Sequence, residues 1–254
     1  MAVAENGEFR GSLSGGCIEA AVVAEALETI RSGAPRTQIY GAGSPLIDIR
    51  LPCGGTVELL FSPVNDGSAV ISNFEARVPA QLDLVMPDNR VVRITHAPPL
   101  QLTILGHGAT VEALSALASS YGAIVSIITP DAEIASRAGG AATLIHSVNQ
   151  DVDVSSDPWT AVVFLFHDHD WETELLVKAL ERPALMIGAM GSNKTHAARL
   201  DQLRKRGASE DTIACIKAPI GLIPSSRDPE TLALSILAEA VAAYNTAAPT
   251  VLKI

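Results

Sequence analysis

The chain has 254 residues, 48% of them apolar, with 18 lysines and arginines against 28 aspartates and glutamates and a formal net charge of −10. It can fill one large core or two ordinary ones, and its field repels phosphate backbones and anionic lipid surfaces, which makes nucleic acid and membranes poor partners. Three scattered cysteines, Cys17, Cys53 and Cys215, rule out a disulfide scaffold and point to a reducing cytoplasm, and MAVAENGEFRG lacks the basic and apolar runs of a secretion signal.

The first half reads as helix and short strands. Residues 20–30 (AAVVAEALETI) combine alanine and glutamate with apolar helical spacing, so a helix is expected from near Cys17. Residues 36–40, 47–51 and 56–61 read as strands set apart by Gly-Ala-Gly and Pro-Cys-Gly-Gly turns. Around Pro-Asp-Asn, residues 80–85 and 90–95 have hairpin chemistry.

After the double proline at positions 98 and 99 the pattern changes to strands alternating with helices, and the domain boundary is placed there, giving residues 1–98 and 99–254. LTILG, a helix near 110–121 and AIVSIIT form a βαβ unit. Strands at AATLI, TAVVFLF and PALMIG and helices at WETELLVKALE, at THAARLDQLRKRG and over about 229–244 extend it. The predicted fold is α/β: a small N-terminal α/β domain, then a Rossmann-like domain with a mainly parallel sheet.

Gly106, His107 and Gly108 fall at a strand-to-helix turn, where missing side chains let a phosphate approach and the helix N-terminus favours negative charge. Val111 occupies the third glycine position of the dinucleotide fingerprint, and Thr129-Pro130-Asp131 ends the next strand without an acid directly on its tip. Both weaken a nicotinamide reading. A tight βα turn wants glycine in any case, so ligand occupancy stays open.

His167, Asp168, His169 and Asp170 follow AVVFLF at a carboxyl end of the sheet, the edge where such folds bind ligands. They suit metal binding, proton relay, hydrogen bonding to a polar ligand, or merely a solvated loop with an aspartate capping the next helix near Trp171. No zinc-type spacing accompanies them, so the metal line stays unassigned. Gly191 and Ser192 open a second glycine turn before a helix, again an anion-friendly mouth or a plain cap. Cys17 and Cys53 each sit beside paired glycines, Cys17 at a probable helix N-terminus that lowers a thiol pKa, so both are candidate soft ligands; Cys215 reads as a small buried hydrophobe.

Together GSLSGGCIE, LPCGGTVELLFSPV, ILGHGATVEALSALA, VVFLFHDHD, IGAMGSNKTHAARLDQLRKRGAS and KAPIGLIPSSRDPETLALSILAEAVA resemble the xanthine dehydrogenase accessory protein family, XdhC/CoxI, over nearly the whole chain. The resemblance implies a cytoplasmic accessory protein, not a free-standing catalyst, that binds molybdenum cofactor, protects it during sulfuration and delivers it to a xanthine dehydrogenase-type molybdenum hydroxylase. A cysteine desulfurase is an implied further partner, and homo-oligomerisation stays open. Carried over by position, Cys17 and Cys53 match the family's GGC and CGG turns, His167, Asp168 and His169 its THDH-like segment, and Gly191 and Ser192 its glycine-serine turn. Phe166 replaces the usual threonine, Glu172 a common aspartate, and Ile223-Pro224-Ser225 an Asp-Ile-Gly-like run. The family's first strand and Gly-Ser-rich turn, which normally precede MAVAENGEF, are expected to be missing. The alternatives are an NAD(P)-dependent oxidoreductase, favoured by the Rossmann half, and a metal-dependent hydrolase built on His167, Asp168 and His169.

Overall fold

A computed structural model describes residues 1–13, 16, 18–42, 54–154, 156–167, 169–248 and 251–253. Cys17, Cys53, Asp168 and the strand expected at 47–51 lie outside these residues. The chain forms two compact units, one of residues 1–73, 80–96 and 251–254, the other of 74–79 and 97–250.

In the first unit, β1 (Ala2–Val3) and β2 (Phe9–Arg10) pair antiparallel. Helix α1 (Glu19–Ser32) follows, with an acid in its first turn, Arg31 in its last, and Gly33 closing it at φ 66° by donating to the Thr29 carbonyl. β3 (Arg36–Gly41) and β4 (Thr56–Phe61) form an antiparallel pair. Ile18, Val22, Tyr40 and Phe61 make a small core. Helix α2 (Ser68–Glu75), absent from the sequence expectations, buries none of its residues and, at eight residues, is too short for a helical period to stand out. β5 (Ala80–Val85) and β6 (Val91–His96) form the expected hairpin, closed where the Met86 and Arg90 backbones bond and Asn89 takes φ 66°.

The second unit is a doubly wound sheet. β7 (Gln101–Gly106), α3 (Ala109–Tyr121) and β8 (Ile124–Thr129) build the first βαβ unit; α4 (Ala132–Ala138) and β9 (Ala142–Leu144) follow. Then come β10 (Thr160–Leu165), α5 (His169–Leu180), β11 (Met186–Ala189), α6 (Asn193–Lys205), α7 (Glu210–Ile213), β12 (Ile216–Lys217) and α8 (Pro229–Ala247). All six strands run parallel in the order β12-β11-β10-β7-β8-β9. The chain thus winds outward from β7 to one edge, returns to β10 and winds to the other, and the reversal between β7 and β10 is the switch point where such folds open a crevice.

Side-chain alternation fills both faces. Along β10, Ala161, Val163 and Leu165 enter the core beneath α3 and α8, while Val162 and Phe164 enter the core beneath α5 and α6. A strand covered on both sides needs an unbroken apolar run, and TAVVFL is wholly buried. Residues 74–79 join this unit through Arg77, which holds Asp157 with two hydrogen bonds of 2.6 and 3.1 Å and donates to the Pro99 carbonyl at 2.8 Å. Burial alone would raise the Asp157 carboxyl, but hydrogen bonds from Arg77, the Trp159 amide and Thr160 hold it below the usual carboxylate range. The chain ends its described course in β13 (Val251–Lys253), antiparallel to β6. Among the described residues no helix is long and apolar enough to cross a membrane.

Candidate functional site at the switch point

The carboxyl ends of β7 and β10 are neighbours in register, Gly106 opposite Leu165, and this pairing explains the first glycine. Gly106 has φ 151°, and a Cβ there would lie 2.7 Å from the carbonyl carbon and oxygen of Leu165, so no side chain fits. Gly108, at φ 86°, is the N-cap residue of α3, and no side chain caps that helix end. Its first amides retain the positive end of the helix dipole for something else. Val111, at the third fingerprint position, is fully buried in the core beneath α3.

His107 stands between the two strand ends. Its ring centroid lies 6.0 Å from that of Phe166 and 6.0 Å from that of His167, in an edge-on arrangement with the latter. Its Nδ1 is buried without a hydrogen-bond partner. His167 is exposed, and α5 begins at His169, two residues before the expected start at Trp171.

These residues line an open cavity of about 1080 Å³, together with Gly191, Ser192 and Asn193 at the start of α6 and the loop from Pro219 to Arg227 that leads into α8. Ala109 and Thr110 of α3, Asn193 and Thr195 of α6, and Pro229 of α8 all contribute. Three helices therefore present their N-terminal turns to one space, and no described lining residue is a carboxylate. Gly191, at φ 128°, is kept small by Thr195, whose Cγ2 would lie 2.9 Å from a Cβ there. The Ser192 hydroxyl accepts from the Thr195 amide at 3.1 Å, so it caps α6.

A buried ion pair holds the backbone of Met190, one of the lining residues. Arg199 of α6 donates from Nε and Nη2 to the two carboxylate oxygens of Glu172 on α5, both at 2.9 Å, and from Nη2 to the Met190 carbonyl at 2.7 Å. Both side chains are 2% exposed. Arg199 thereby ties α5, which follows the His167 loop, to the residue preceding Gly191. Burial and the neighbouring Arg199 guanidinium lower the pKa of His196 on the same helix, with Glu172 partly offsetting them.

The loop over the far strands is fastened from α8. Gly221 donates its amide to Glu239 at 2.7 Å, Ile223 donates to the Ser235 hydroxyl at 2.7 Å, and Ile220 donates to the Ala189 carbonyl of β11 at 3.1 Å. Gly188 must remain bare because Ile220 fills the space above it.

A family model for the XdhC Rossmann domain matches residues 102–240, and one for the XdhC and CoxI family matches residues 1–41. The chain belongs to the XdhC/CoxI family. The Rossmann match contains every described lining residue of the cavity. A chain of Escherichia coli K12 described as the molybdenum cofactor insertion chaperone PaoD is 35% identical over 94% of this chain and 76% of its own length. A second Escherichia coli K12 relative, YqeB, described as uncharacterised, is 22% identical over 97% of this chain and 40% of its own. A solved structure described as a xanthine dehydrogenase from Bacillus halodurans shares the fold, with a TM-score of 0.73 at 20% identity over 96% of this chain and 85% of that one.

Within this XdhC/CoxI fold His107, His167, Gly191 and Ser192 line one cavity, whereas Gly106 and Gly108 flank His107 in the turn without lining it. His169 opens α5 next to it in the chain. At the start of α1 the buried Glu19 carboxylate accepts from Ser12 Oγ at 2.9 Å and from the amides of Leu13, Gly16 and Ile18 at 3.1, 2.9 and 3.1 Å. Cys215 differs from expectation: it is exposed, with its thiol donating to the Asp211 carbonyl, because it lies in the turn after α7 rather than on a core face. Asp131 also has a defined task, capping α4 by accepting from the Glu133 and Ile134 amides. Among the described residues no group of three or more histidines, cysteines or acids is placed to hold a metal. Sequence reasoning missed Glu172 with Arg199, and it missed Arg227.

Proposed function

We propose that this protein is a cytoplasmic chaperone that binds molybdenum cofactor as cargo, holds it transiently and hands it to a xanthine dehydrogenase-type molybdenum hydroxylase. The observation that carries the reading is the switch-point cavity, which has an uncapped α3 N-terminus, an unpartnered His107 Nδ1 and no described carboxylate in its lining, in a chain whose net charge is −10. Such a lining suits a ligand with an anionic phosphate. The 35% identity to a relative described as a molybdenum cofactor insertion chaperone supports a cargo of that chemistry.

In this reading Gly106 and Gly108 let the phosphate reach the α3 amides, His107 donates or accepts from its free Nδ1, and His167, Asp168 and His169 meet the polar pterin. Gly191 and Ser192 close the opposite side. The family resemblance makes Cys17 and Cys53 candidate soft sulfur ligands for molybdenum. A cysteine desulfurase visits the bound cargo for sulfuration, and self-association brings further copies to the client enzyme.

The Rossmann strand order favours one other ligand, a nicotinamide dinucleotide. Against it stand Thr129, fully buried at the tip of β8, and Asp131, whose carboxylate is engaged with the α4 amides. Titration calorimetry with NAD, NADP and released molybdenum cofactor separates the two. Cofactor binding with nicotinamides inert supports the chaperone; tight nicotinamide binding without cofactor binding overturns it.

A further inference from the structure

We propose that Arg227 forms a second anion-binding position in the switch-point cavity, so that the ligand is held at two anionic points, one on α3 and one on the Pro219–Arg227 loop. The inference rests on the cargo reading of the same cavity and adds to it a residue and a ligand class: a molecule bearing a diphosphate or two separated anionic groups.

Arg227 is the one arginine or lysine among the described lining residues, and it makes no ion pair or hydrogen bond with any of them. Other arginines of the second unit behave differently: Arg77, Arg137, Arg182, Arg199, Arg204 and Arg206 are each paired with a carboxylate. In a chain with 28 acids, an unpaired guanidinium at the mouth of an acid-free cavity is positioned for an external anion.

The acid nearest in sequence does not quench it. Asp228 turns its carboxylate to the Thr231 amide at 2.8 Å and hydroxyl at 2.6 Å, capping α8. The loop itself is fixed where it needs to be: Gly221 on Glu239, Ile223 on Ser235 and Ser226 Oγ on the Ile223 carbonyl. Arg227 is thus carried on a segment anchored at several points, which lowers the entropy lost when it grips a ligand.

The first anionic point is independent of Arg227. It combines the uncapped α3 end with the buried, unpartnered Nδ1 of His107. The cavity volume of about 1080 Å³ stands at the upper end of small-ligand sites, which run to roughly 1,000 Å³, so a ligand reaching both points has room. A single small anion would use only one.

The test titrates the full chain and its Arg227→Gln and Arg227→Lys variants with inorganic pyrophosphate and with released molybdenum cofactor, by calorimetry at two salt concentrations. Urea midpoints confirm that exposed Arg227 leaves the fold unchanged. Expected for Arg227→Gln is about tenfold weaker binding of both probes and a shallower salt dependence, with Arg227→Lys intermediate because a point charge keeps attraction but loses the forked geometry. Pyrophosphate binding that depends on Arg227 without any cofactor binding supports the anion position while removing the cargo reading. Cofactor binding that is equal in all three proteins overturns the inference and leaves the cargo reading intact. Absence of pyrophosphate binding to the unmodified chain, with no Arg227 effect on cofactor, overturns it as well.

Discussion

Replacing Glu172 by glutamine keeps the side chain's shape and removes its charge. Arg199 then remains 2% exposed without the Glu172 charge, one of its two 2.9 Å hydrogen bonds faces an amide NH2 instead of an oxygen, and its contacts with the Met190 carbonyl and His196 Nδ1 are unaffected. Removing one partner of a buried pair costs about 3–5 kcal/mol, since the remaining charge keeps its desolvation penalty. The two tryptophans, Trp159 and Trp171, both belong to the second unit, so intrinsic fluorescence reports the unit that holds the pair. With a urea slope of about 2–3 kcal/mol/M, the midpoint falls by about 1–2.5 M. The double replacement Glu172→Met with Arg199→Met removes both charges and recovers most of that loss. A Glu172→Gln midpoint within about 0.3 M of the unmodified protein would show that the pair does not carry the α5–α6 junction, and the reasoning fails.

Gly106→Ala forces a Cβ against the Leu165 carbonyl at 2.7 Å and φ 151°, which costs about 2–4 kcal/mol and spreads β7 from β10; thermal unfolding measures it, and an unchanged midpoint contradicts the close approach. Tyr40→Phe deletes a fully buried hydroxyl without a partner, so the first unit is unchanged or gains up to about 1 kcal/mol, whereas a loss above that would reveal a bond at Tyr40. Burial, then Glu25, pushes the Tyr40 hydroxyl up to about 12, so absorbance titration shows one tyrosine ionising late that the variant lacks. The folded pKa of His196 is lowered, so its neutral form is favoured by folding. Its contribution is full above the unfolded value of about 6.5 and is lost as pH falls through the folded one. His196→Gln accordingly flattens the fall in stability between about pH 7 and about pH 5, and an unaltered profile counts against the half-buried imidazole.

Local patterns account for what was legible. TAVVFL is buried on both faces because a central parallel strand must be, and the same run of apolar residues marks it in the sequence. The turn at Gly106 to Gly108 is equally readable, since strand period, glycine pair and helix period meet there. Helix α4 escaped because its seven residues are too few for a period, yet Asp131 followed by Glu133 and Ile134 is a cap signature; weighing Asp131 only as a ribose-reading acid hid it. Glu172 and Arg199 lie 27 residues apart on separate helices, so their pairing exists only after α5 and α6 pack on one face of the sheet. Arg227 was likewise invisible as a site residue, because the loop that carries it is drawn over the cavity by Glu239 and Ser235 of α8, a tertiary event with no local sign. Cys17, Cys53 and Asp168 keep the standing the sequence gives them, as proposed ligands in the family's own turns.

The most direct test of the central claim is to incubate the purified chain with released molybdenum cofactor, separate bound from free by gel filtration and count molybdenum per protein, alongside an Ala109→Glu variant that sets a carboxylate at the uncapped α3 end within the cavity lining. About one molybdenum per chain, falling to near none in the variant while its urea midpoint is retained, is the predicted result. No molybdenum on the unmodified protein, or equal loading of the variant, contradicts cargo binding at the switch point.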